Sequence, residues 1–100
     1  MTSEDSAIRS EAARVAILRY EASRALEKLI LALLVLADTD DTAAISSLRR
    51  AADVADSGLH HPGQAFDYLV RAVTIDPGDS ELSIMLEDLR RLAGQSQTYS

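Results

Sequence analysis

No glycine or proline interrupts the chain before Gly58, and alanine, leucine, arginine and glutamate dominate that stretch. Residues of this kind favour helix, and nothing among them forces a break. Ile8, Val15, Ala22, Leu29 and Leu36 fall seven apart, and Leu18, Ala25 and Ala32 supply most of a second apolar row. That spacing predicts one long helix over about residues 5–37, about 48 Å long at 1.5 Å per residue, with a seam that wants a partner. Its halves differ. The first carries a narrow stripe of Ile8, Val15 and Leu18, whereas the second, from Leu26 to Leu36, is apolar nearly all round and should be enclosed by neighbours.

Three shorter helices follow. Asp38-Thr39-Asp40-Asp41-Thr42 stops the first helix and caps a second at about 41–57, whose core stripe is Ile45, Leu48, Ala52, Ala55 and Leu59. The acidic spacing fails as a calcium loop, because Ala43 stands where glycine is needed and Arg49 where a bidentate glutamate is needed. Gly58 is expected to end the second helix as a left-handed cap. His60, His61, Pro62 and Gly63 form a loop before a third helix at about 63–75, with Phe66, Leu69, Val70 and Val73 facing inward. Asp76-Pro77-Gly78 breaks that helix, and Asp79 or Ser80 caps a fourth at about 80–93, lined by Leu82, Met85, Leu86, Leu89 and Leu92. Gly94 is expected to terminate it, leaving residues 95–100 as a polar tail.

The stretch from Ala65 to Asp79 resembles the second helix of a tetratricopeptide repeat, a family of stacked helical hairpins. Ala65, Leu69, Ala72 and Pro77 fall on the positions where that family places small residues, a large apolar residue and a proline. Residues 79–92 resemble the opening helix of a following repeat, or a capping helix. Residues 44–57 would be the repeat's first helix. There Ala51 and Val54 replace the expected glycine and aromatic, and the loop at 58–63 is about two residues too long for the family. The resemblance implies an all-α fold and a role in binding protein, with the long first helix completing the core of a single repeat plus cap.

Charge and composition narrow the function. The net charge of −6 is unevenly spread: residues 1–28 hold five basic and five acidic side chains, and residues 29–100 hold five basic and eleven acidic ones. An acidic body argues against nucleic acid, whose binding rests on phosphate neutralisation. The apolar run Leu29–Ala37 is too short for a membrane span, and the acidic start lacks the form of a signal peptide, so a cytoplasmic protein is expected. The chain contains no cysteine, no glycine-rich phosphate loop and no histidine at metal-ligand spacing. Asp56-Ser57-Gly58-Leu59 is similar to the Asp-Ser-Leu of acyl carrier proteins, but Ser57 closes a helix where a carrier serine opens one. No catalytic residue, cofactor or metal is therefore expected, and no enzyme.

The sequence thus predicts an all-α domain of four helices, in which a long N-terminal helix packs against a tetratricopeptide-like hairpin and a capping helix. The three short helices cannot cover the first, so its N-terminal half should protrude. Function is expected to be protein–protein interaction, as an adaptor forming a homodimer through Ile8, Glu11, Arg14, Val15, Leu18, Arg19, Glu21 and Ala22. Antiparallel pairing would set Arg14 of one copy against Glu21 of the other. Two alternatives stand beside it: a ligand-binding bundle with a pocket among Leu26, Leu33, Leu48 and Phe66, and a docking or effector-associated domain whose stripe meets a separate protein.

Overall fold

The computed structural model describes the backbone of residues 3–98 and the side chains of residue 5 and residues 7–91. The expectation that Leu92 faces the core falls on a side chain outside that set. Every regular element among the described residues is helical: α1 (Ser3–Ser23), α2 (Leu26–Thr39), α3 (Ala44–Asp53), α4 (Pro62–Ile75) and α5 (Ser80–Thr98). A 3-10 turn over Asp41–Ala43 leads into α3, and a π-helical turn over Val54–Gly58 prolongs it. There are five helices where the sequence predicts four, and the extra one arises in the first third.

The expected long helix is broken at Arg24, which takes the left-handed conformation with φ 56°. The Arg24 amide bonds to the Glu21 carbonyl at 3.3 Å and the Ala25 amide to the Tyr20 carbonyl at 3.0 Å. This is the Schellman closure usually made with glycine. A non-glycine residue there costs about 1–2 kcal/mol. The chain accepts the cost because α1 then folds back along α2, as the hydrogen bond between Ser10 Oγ and Thr39 Oγ1 at 2.8 Å records. Burying Ile17 alone contributes about 1.5–3 kcal/mol, and Ala13 is buried beside it while Ala16 and Tyr20 pack against the same core. The N-terminal half therefore does not protrude. It is the first arm of a hairpin.

From there each helix packs on the next, α2 on α3, α3 on α4 and α4 on α5. Leu33, Leu48, Leu69 and Leu82, one from each of α2 to α5, are the largest fully buried side chains. Ala51, Ala55, Ala65 and Ala72 are buried too, and their small side chains let α3 and α4 approach closely. Val70, expected inside, is exposed, and so is Leu31 in the apolar run of α2 that was expected to be enclosed. Asp40 and Asp79 cap as expected: Asp40 Oδ1 accepts from the Thr42 amide at 3.1 Å, and Asp79 Oδ1 from the Glu81 and Leu82 amides at 3.0 and 3.2 Å.

Two glycine expectations are overturned. Gly58 is not left-handed; His60 is, with φ 57°. Gly58 serves close packing, since a Cβ there would stand 2.8 Å from Leu26 Cδ1 at the start of α2. Gly94 does not end α5, which runs on to Thr98. One glycine inside a helix costs only about 1 kcal/mol and does not oblige it to stop.

Replacing Arg24 with glycine separates the two descriptions of the first third by sign. At a left-handed closure, Arg24→Gly should raise unfolding free energy by about 1 kcal/mol. In the middle of an uninterrupted helix it would lower it by about as much. Urea denaturation reads the difference.

Candidate functional site

Helix α1 presents apolar side chains in two opposite directions. Ser10, Ala13 and Ile17 are buried against α2. Ile8 lies nine residues from Ile17, a rotation of about 900°, and so points the other way. With Val15 and Leu18 it forms an outward stripe, exposed by 65%, 62% and 69% respectively. Single exposed aliphatics are ordinary; here three share one helix face.

The other expected interface residues divide around this stripe. Glu11, Arg19 and Ala22 are exposed on the same side of α1, and neither Glu11 nor Arg19 makes an ion pair among the described side chains. Arg14 and Glu21 are committed within the chain. Arg14 binds Asp40 beyond the end of α2, and Glu21, whose Oε1 is shielded from solvent, binds Arg50 on α3. The anticipated Arg14–Glu21 pairing between copies is thus replaced by two pairs inside one chain. Folding back brings α1 within reach of both partners, which a protruding helix would never meet.

Between α1 and α3 lies a groove of about 390 Å³, floored by Ile17, Leu33 and Leu36 and edged by Arg14, Leu18 and Arg50. Leu18 belongs to both stripe and groove, so the two form one continuous surface. The four residues expected to line a pocket, Leu26, Leu33, Leu48 and Phe66, take different places. Leu33 floors this groove and Leu26 borders another, while Leu48 is buried and Phe66 packs against the core. His60 and His61 are exposed in their loop. Among the described residues no group of His, Asp and Glu could hold a metal, and no helix is long and apolar enough to cross a membrane.

Ion pairs tie the stack together across helices. Besides those of Arg14 and Arg50, Arg71 on α4 meets Asp38 on α2 at 3.1 Å, and Arg49 on α3 meets Glu81 on α5 at 3.2 Å. The Asp40 carboxyl is held below its ordinary value. Hydrogen bonding from the Thr42 hydroxyl at 2.6 Å is the largest cause; desolvation opposes it, and Arg14 adds to the lowering. The result lies below the ordinary value of 3.8. Comparison of the chain with known families, characterised proteins and solved structures finds no match.

The Asp40 shift fixes a pH dependence. Because its folded value is depressed, its contribution is fully present above 3.8 and is lost as pH falls from there through the folded value. Asp40→Asn, which keeps a capping side chain but cannot titrate, should flatten that part of the acid limb in pH-dependent unfolding.

Proposed function

We propose that the protein is a non-catalytic interaction module that self-associates through the outward face of α1. The observation that carries this reading is the stripe of Ile8, Val15 and Leu18, more than half exposed on a helix whose opposite side is already packed. A helix apolar on two opposite sides is suited to neighbours on both. The charges beside the stripe favour an antiparallel partner. Glu11 and Arg19 lie four residues to either side of Val15. In an antiparallel pair of α1 helices crossing at Val15, Glu11 of each copy therefore stands opposite Arg19 of the other. A parallel pair sets like against like, which repels.

The tetratricopeptide-like reading belongs with this proposal. Supporting it are the succession of two hairpins and a final helix, and the complete burial of Ala65, Leu69 and Ala72, the positions that carry the resemblance. On that reading α1 and α2 form a further hairpin ahead of the one visible in the sequence, and the function is that of an adaptor.

Light scattering behind size exclusion should give twice the chain mass of 10.8 kDa. Val15→Glu with Leu18→Glu should give a folded monomer, since both side chains point into solvent in the single chain and the changes cost little stability. A double variant that remains dimeric would refute the assignment of the seam. A wild-type chain that is monomeric throughout would leave the stripe to a separate protein.

A further inference from the structure

Two residues, Arg24 and Ala25, join α1 to α2, and both are poorly suited to the task. Arg24 stands in the left-handed region at φ 56°, where a side chain with a Cβ is disfavoured. Ala25 holds the N-cap of α2 at φ −81° and ψ 76°, with no polar side chain to offer the first turn. The sequence around them, Glu21 to Lys28, has no glycine or proline, and all but Ser23 are strong helix formers. Helical backbone at 24 and 25 would remove the strain. It would also give the Glu27 and Lys28 amides the carbonyls of Ser23 and Arg24, four residues back. Charge decides nothing here: in such a helix Glu27, three residues on, attracts Arg24, while Lys28, four residues on, repels it.

The contacts that hold α1 in place lead to residues beyond this joint. Ala13 and Ile17 are buried against α2, Ser10 bonds to Thr39, Arg14 pairs with Asp40 and Glu21 pairs with Arg50. A second copy presents the same Thr39, Asp40 and Arg50 and the same apolar face of α2. Only the two-residue joint therefore dictates whose α2 receives a given α1. Moving α1 to the other copy remakes each of these contacts and relieves the strain at Arg24.

We propose that two copies folding together at high concentration exchange their α1 helices, with residues 24 and 25 straightening into helix in each. Each α1 then packs on α2 of the other copy, and because the exchange is reciprocal it closes at two chains. Proximity opposes it. The chain's own α1 is present at an effective concentration of roughly millimolar or more, so a chain that folds in dilute solution closes on itself. It then stays closed, because leaving would require Ala13 and Ile17 to detach from the core. The hairpin described above is this closed form, and the Val15→Glu/Leu18→Glu chain folded in dilute solution remains a monomer. Ile8, Val15 and Leu18 face outward in both forms, since α1 turns the same side to either α2. The exchange is thus separate from the self-association assigned to the stripe.

Refolding in the Val15→Glu/Leu18→Glu background, where the stripe is disabled, tests it. The chain is unfolded in urea, refolded at about 10 µM or at about 1 mM, on the two sides of the proximity limit, and sized at one common dilution. The dilute sample should return as monomer. The concentrated one should contain a species of twice 10.8 kDa that persists on dilution. Arg24→Gly eases the closed joint and weakens the straight helix, so it should cut the yield of that species at least about tenfold. Circular dichroism establishes that each variant is folded. Spin labels identify the exchange when a chain carrying Ala7→Cys is refolded at the higher concentration with one carrying Asp38→Cys. In the mixed dimer the two labels, on different copies, should fall within about 25 Å, as α1 and α2 do inside one closed chain. A concentrated refold that yields only monomer overturns the exchange, and so does a dimer indifferent to Arg24→Gly or one with distant labels. None of these results bears on the stripe, which is read from the dimerisation of the chain with Val15 and Leu18 intact.

Discussion

The contact between α1 and α2, closed by the left-handed Arg24, determines what the rest of the surface offers. It commits one side of α1 to the core and so turns Ile8, Val15 and Leu18 outward. It also carries Arg14 to Asp40 and Glu21 to Arg50. These are exposed or half-exposed pairs, and pairs of that kind contribute little each. Their value lies in position, since they join α1 to the end of α2 and to α3. The apolar seal at Ala13 and Ile17 holds the hairpin, and the charges set how it sits against the remaining helices.

With that hairpin in place the molecule is a short stack, two hairpins followed by one helix. A stack differs from a closed bundle in having ends, and ends must be polar or covered. Leu31 at one end and Ile84 at the other are neither polar nor covered within the single chain. The outward stripe of α1 adds a third uncovered apolar feature along the side. The chain has a complete core, with a fully buried leucine in each of α2 to α5, and also leaves large aliphatic side chains exposed on α1, α2, α4 and α5.

How legible the fold was in the sequence depended on which physical signal marked each boundary. Pro62, Asp79 and the Asp76-Pro77-Gly78 turn act through fixed φ and capping oxygens, which are local and show in single residues. The helices they bound begin or end within a residue or so of where the pattern places them. The closure at Arg24 has no such mark, because arginine there is tolerated only through the packing it permits. The heptad row through Ile8, Val15, Ala22, Leu29 and Leu36 crosses the break by coincidence and hides it. The better sign was the row of Ser10, Ala13, Ile17 and Tyr20, less hydrophobic yet the side that packs. Small residues there let α1 lie close on α2, and hydrophobicity alone undervalues them. The exposure of Ile8, Val15 and Leu18 was expected, but from a protruding helix; it arises instead because α1 packs its opposite side on α2. The fates of Arg14 and Glu21 were not legible, because their partners become neighbours only after the chain folds back.

The measurement that bears most directly on this account is the distance between spin labels at Ala7→Cys and Asp38→Cys, in a chain with no other cysteine. Both sites are exposed, and dilution with unlabelled chain removes distances between copies. In a hairpin whose axes lie about 8–10 Å apart, the labels should fall within about 25 Å of each other. A distance near 45 Å, the span of an unbroken helix over the same residues at about 1.5 Å each, would contradict the reversal at Arg24 and everything built on it.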